Sequence, residues 1–166
     1  MTTRDNLQAA FAGESQANRK YLAFAQKAEK EGFGQIAKLF RAAAAAETIH
    51  AHAHLQAMGG IQSTLENLEE AIAGEGHEFK EMYPPFLAMA QKEGNKPAET
   101  SFKNALAVEE VHHDLYSKAL TSAKGGSDLP AAAIYVCPVC GNTVENEVPD
   151  ICPICNVPGS KFTEID

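Results

Sequence analysis

Positive charge, long apolar runs and dispersed cysteine are all scarce in this sequence. Its 166 residues carry 14 Lys and Arg against 22 Asp and Glu, a formal charge of −8, which disfavours nucleic acid and anionic membranes as partners. The opening Met1-Thr2-Thr3-Arg4-Asp5 has no apolar signal region, and no run approaches the length of a membrane span. A cytoplasmic protein with no membrane partner is therefore expected. Cysteine is absent until position 137, and all four cysteines fall in one short stretch near the end. That argues against a disulfide-stapled scaffold. With 45% hydrophobic and 22% charged residues, the chain can still bury a core.

One unusual element is present twice. Glu47-x-x-His50 and Glu109-x-x-His112 are each preceded by a lone glutamate, Glu14 and Glu78, at separations of 33 (14 to 47) and 31 (78 to 109) residues. Residues three apart on a helix share a face, so each Glu/His pair can grip one metal. Two lone glutamates and two such pairs on four helices form the donor set of di-iron and di-manganese carboxylate bundles. Glu14 falls within the apolar stripe Leu7, Ala10, Phe11, Ala17, Tyr21 and Phe24, and reads as buried. Glu47 and His50 sit among Ile36, Phe40, Ala43, Ala44 and Leu55. Glu78 falls between Leu68, Ala71, Ile72 and Met82, Phe86, while Glu109 and His112 lie between Phe102, Ala105, Leu106 and Tyr116, Leu120. Burying an unpaired carboxylate costs several kcal/mol, so converging glutamates call for cations.

Glu81, three residues after Glu78, is a fifth carboxylate on nearly the same face. Two ferrous ions match four glutamates, whereas two ferric ions favour one more anion. Oxidation is then expected to recruit Glu81, and reduction to return that iron to His50. The other histidines, His52, His54, His77 and His113, read as surface residues or as supports for ligands.

The cysteines form two knuckles, Cys137-Pro138-Val139-Cys140-Gly141 and Cys152-Pro153-Ile154-Cys155-Asn156. Four thiolates at this spacing suit tetrahedral zinc or iron. Gly141 and Asn156 follow the second cysteine of each knuckle, where the turn asks for positive φ. Spacing does not choose the metal; the Cys-Pro-x-Cys-Gly wording and Tyr135-Val136 ahead of it favour iron.

Apolar periodicity and breakers predict helices over 4–31, 34–58, 66–93 and 98–123, ended by Gly32 and Gly34, by Gly59-Gly60, and by Gly94-Asn95 with Pro97. Pro84-Pro85 should interrupt the third, and Ala42–Ala46 should let helices approach closely. Lys124–Pro130 is Gly/Ser/Pro-rich, which places domain one at 1–124, a linker at 125–133 and a metal-folded domain at 134–166.

The combination of Gly13-Glu14-Ser15-Gln16-Ala17-Asn18, Glu47-x-x-His50, Glu78-x-x-Glu81-Met82-Tyr83-Pro84, Glu109-x-x-His112 and the two knuckles resembles the rubrerythrins along essentially the whole chain. The resemblance implies an all-α, ferritin-like four-helix bundle with a di-iron site, followed by a small rubredoxin-like domain holding one iron. It implies reduction of hydrogen peroxide to water in oxidative-stress defence. Electrons would come from an external donor, a rubredoxin or an NAD(P)H-dependent reductase, through the cysteine-held iron. Carried over by motif, the di-iron ligands are Glu14, Glu47, Glu78, Glu81, Glu109 and His112, with His50 exchanged for Glu81; Cys137, Cys140, Cys152 and Cys155 hold the single iron. Tyr21 resembles the family's hydrogen-bonding tyrosine, so Glu81, His50 and Tyr21 are the expected reactive residues. The competing readings are a ferroxidase or iron-storage protein and a zinc ribbon that recruits a partner. The stretch between Gly59 and Glu78 is short for a bundle whose second and third helices run parallel, so either the third helix starts later, near Ala71, or the first two helices pack against the last two of a second chain in an exchanged homodimer.

Overall fold

The computed structural model describes Met1–Asp166. The chain divides into two compact units, Met1–Gln62 and Ser63–Asp166. The first is a helical hairpin of α1 (Thr3–Lys30) and α2 (Gly34–Ala57). A reciprocal cap starts α1: the Thr2 hydroxyl accepts from the Asp5 N–H, and the Asp5 carboxylate accepts from the Thr2 N–H. Gly32, at φ 84°, supplies the left-handed residue of the turn. Ala25, Ala28, Ala37, Ala44 and Ala51 are buried between the helices, so the seam is built of small residues and brings the two backbones close. Buried Asn18 fixes the register, its Nδ2 donating to the Ala44 carbonyl at 2.7 Å and to Thr48 Oγ1 at 2.8 Å. Phe24 and Tyr21 of α1 meet the ring of Phe40 of α2, whereas Ile36, Leu39 and Ile49 are exposed, the last two at 69%.

The second unit contains α3 (Thr64–His77), a π-helical turn (Glu78–Met82), α4 (Tyr83–Glu93) and α5 (Lys96–Lys124). Ser63 and Glu66 repeat the reciprocal cap at the start of α3. The expected interruption at Pro84-Pro85 appears as the π turn just before them. Proline has no N–H, and its ring would strike the carbonyl four residues back in a regular α turn; a widened turn relieves that clash. Both α3 and α4 pack on α5, with Phe86 and Phe102 in ring contact and Tyr83 beside both.

A three-stranded antiparallel sheet completes this unit, in the order β2 (Thr143–Glu145), β1 (Ile134–Val136), β3 (Thr163–Ile165). Its buried side chains are Cys137, Cys152 and Asn142, so the cysteines occupy the place of a hydrophobic core. Strand β2 lies against α5. No helix is long and apolar enough to cross a membrane.

Candidate metal centres

Each unit presents one half of a carboxylate and histidine site. In the first, α1 offers Glu14 and α2 offers Glu47 and His50, with donor atoms all within 4.8 Å of one another. His50 Nδ1 faces Glu47 Oε2 at 2.8 Å. In the second, α3 offers Glu75 and α5 offers Glu109 and His112, again within 4.8 Å, and His112 Nδ1 faces Glu109 Oε2 at 3.0 Å. The duplicated motif thus folds into duplicated geometry, with Nδ1 turned toward the carboxylates in both copies. Glu14 is half-buried rather than buried. The Glu47 side chain is also largely covered, whereas that of His50 is 55% exposed.

The glutamate grouped with Glu109 and His112 is Glu75, whereas the motif spacing pointed to Glu78. Its signal was present: Glu75 to Glu109 is 34 residues, closer to the 33 of the first copy, and Glu75 continues the stripe Leu68, Ile72 at helical spacing. Glu78 stands on the π turn beside it. Burial, and then the charge of Glu109, pushes Glu75 toward its protonated form. Glu78 is pushed the same way by burial and by Glu75. Unscreened carboxylates disfavour one another's charge, and a bound cation reverses that preference. The donor chemistry therefore fits a divalent metal.

Glu81 is not brought to the cluster. Its carboxylate meets His77 Nδ1 at 3.2 Å, and both side chains are mostly in solvent. The cause is the π turn: with hydrogen bonds reaching five residues back, a step of three no longer returns to the face of Glu78. Tyr21 packs its ring with Phe24 and Phe40. Tyr83 is the tyrosine that feels the carboxylates, since burial first, then Glu78, Glu109 and Glu75, hold its hydroxyl in the protonated form.

The four thiols converge as their spacing predicted. Cys137 and Cys155 sulfurs lie 3.6 Å apart, as do those of Cys140 and Cys152. A disulfide needs about 2.05 Å, whereas tetrahedral ligands with metal–sulfur bonds of ~2.3 Å sit about 3.8 Å from each other. The cavity is shaped for a metal. Gly141 at φ 88° and Asn156 at φ 62° occupy the left-handed positions, and their N–H groups donate to the Cys137 and Cys152 carbonyls at 2.9 Å. Burial alone would raise the Cys152 thiol, yet hydrogen bonds from the Cys155 and Ile154 backbone outweigh it and bring the group down to about 7. Burial pushes the neighbouring Cys140 and Cys155 thiols up instead, and a bound metal would favour the thiolate form throughout.

Comparison with known proteins agrees with both centres. The Rubrerythrin family profile matches residues 5–120, and the profile described as "Rubrerythrin, rubredoxin-like domain" matches residues 135–163. Rubrerythrin-2 of Clostridium acetobutylicum is 38% identical, over 96% of this chain and 95% of that protein. Nigerythrin of Nitratidesulfovibrio vulgaris is 36% identical, over 98% and 86%. The fully reduced, all-ferrous structure of nigerythrin superposes with a TM-score of 0.59 at 35% identity, covering 99% of this chain and 87% of that one. The chain belongs to the rubrerythrin family, with its ferritin-like helices and rubredoxin-like domain. Its cofactors are accordingly iron, in a di-iron site and in a site of four cysteines.

Proposed function

We infer that this protein reduces hydrogen peroxide to water in the cytoplasm, taking electrons one at a time from an external rubredoxin or NAD(P)H-dependent reductase through its cysteine-held iron. One observation carries the reading: the domain that holds the four thiols lies against α5 and hydrogen-bonds the ligand histidine of one half-site, His112 Nε2 to Thr143 Oγ1 at 3.0 Å. A ferroxidase or storage protein has no use for such an electron inlet. We assign Glu14, Glu47, His50, Glu75, Glu109 and His112 as ligands, with Glu78, rather than Glu81, as the additional carboxylate.

When bound, the two irons supply two electrons and Lewis acidity to the O–O bond. The chain's own groups do the rest. The glutamates would hold the metals and offset their charge. Tyr83 keeps its proton beside Glu78, Glu109 and Glu75, and is placed to donate a hydrogen bond as charge develops. His50 has Glu47 as its one hydrogen-bond partner, so it is the histidine free to leave and return, and to carry a proton at Nδ1.

The two half-sites are completed between two copies of the chain. A return path parallel to α2 would climb about 10 Å from His50 to Ala57 and about 16 Å from Thr64 to Glu75, near 27 Å in all. Residues 58–63 could span only about 25 Å if fully extended. They are not extended: the N–H groups of Gly59 and Gly60 turn back to the Gln56 and Leu55 carbonyls at 2.9 Å. An exchanged homodimer joins α1 and α2 of one copy to α3, α4 and α5 of another, and covers the exposed Leu39 and Ile49.

Anaerobic titration of the fully reduced protein tests the activity. Each peroxide should remove two electrons and leave only water. Release of hydroxyl radical, or one electron removed per peroxide, contradicts it.

A further inference from the structure

We propose that Thr143 is a positioning residue that fixes the tautomer of His112 and joins it to the cysteine knuckle, so that electrons reach the di-iron site through this contact. The inference rests on the reading of His112 as an iron ligand and of the four-cysteine iron as the inlet.

The hydroxyl of Thr143 has one proton and two neighbours. It lies 3.1 Å from the Gly141 carbonyl and 3.0 Å from His112 Nε2. A carbonyl can only accept, so the hydroxyl donates to Gly141 and must accept from an N–H at Nε2. The Nδ1 of His112 faces Glu109 Oε2 at 3.0 Å and Glu75 Oε1 at 3.8 Å, where a bound metal would take the place of a proton and leave His112 as the Nε2-protonated imidazole. His50 has no such partner at its outer nitrogen, and the two half-sites differ in this respect.

The same contact connects the second half-site to the cysteine knuckle. It runs from the His112 ring to Thr143 Oγ1, to the carbonyl of Gly141, and along the chain to Cys140. Three alternate residues of the knuckle and strand meet one face of α5: Gly141 beside Val108, Thr143 on His112, and Glu145 in an ion pair with Lys118. A strand repeats its face every second residue and a helix every three to four, so Gly141 and Thr143 match Val108 and His112, while the long Lys118 side chain reaches Glu145 from further along α5. With iron in both sites, each transfer would take one electron from the iron held by Cys137, Cys140, Cys152 and Cys155 to the iron held by the glutamates and histidines. Two such transfers with two protons balance H2O2 + 2 e− + 2 H+ → 2 H2O.

The test uses the full iron-loaded chain, reduced at both centres and mixed anaerobically with peroxide, with the thiolate-to-iron absorption band reporting oxidation of the cysteine-held iron. Thr143→Val keeps the β-branched shape and removes the hydroxyl. It is expected to slow the appearance of that band about 10-fold or more relative to the oxidation of the diferrous pair in the same protein; Thr143→Ser restores the ratio. A second readout needs no turnover: in the zinc-loaded wild type, 15N NMR should show His112 protonated at Nε2 with slow solvent exchange, and Thr143→Val should lose that protection. A wild-type His112 that exchanges as freely as His50 overturns the proposal. So does a Thr143→Val protein whose cysteine iron oxidises within about twofold of the wild-type rate. If peroxide does not oxidise the wild-type diferrous pair, the proposed activity fails, and the NMR readout still decides the role of Thr143.

Discussion

Glu75 Oε1 lies 3.8 Å from His112 Nδ1, a distance that ties α3 to α5 and identifies the third donor of the second half-site. Glu14 holds the equivalent place against Glu47 and His50.

The first prediction separates Glu75 from Glu81. Glu75→Gln removes an anionic donor and is expected to weaken iron binding at the di-iron site about 10-fold to 100-fold. Glu81→Ala should leave iron content unchanged, because that carboxylate pairs only with exposed His77. Iron titration of both variants checks this, and the opposite ranking restores Glu81 as a ligand.

Much of this fold was legible in the sequence, and the part that was not has identifiable causes. The helix ends followed from glycine chemistry, since Gly32, Gly59 and Gly94 all adopt positive φ where the reading placed breaks. The thiol site followed from spacing alone. Glu78-x-x-Glu81 imitates the shape of Glu75-x-x-Glu78, and although Pro84-Pro85 announces an interruption, it does not say that the break takes the form of a π turn that shifts the face. The contact between Thr143 and His112 depends on 31 residues of intervening chain. No periodicity could have revealed it.

Removal of a thiol should act on one domain only. Cys152→Ser is expected to abolish the thiolate-to-iron band and unfold residues 134–166, because the sheet has no apolar core to replace the metal. Helical circular dichroism should persist. Loss of both together would show that the sheet is required to build the helices.

The hairpin seam gives a stability prediction. Asn18→Ala removes two buried hydrogen bonds to α2 and should cost about 1–3 kcal/mol. Thermal or denaturant unfolding of the iron-loaded protein measures it, and an unchanged midpoint would mean that the alanine seam alone sets the register.

Chain reach makes the assembly testable. Sedimentation should show a dimer at micromolar concentration, and inserting about ten Gly/Ser residues after Gly60, enough to span more than 30 Å, should allow a monomeric bundle that still binds iron. A wild-type monomer with a full complement of iron would rule out the exchange.

The most direct measurement compares oxidants. The fully reduced, iron-loaded protein is mixed in a stopped-flow instrument with equal concentrations of hydrogen peroxide or dioxygen, and oxidation of the diferrous pair is followed. Peroxide is predicted to react much faster. Equal or faster oxidation by dioxygen would contradict the peroxidase account and favour a ferroxidase.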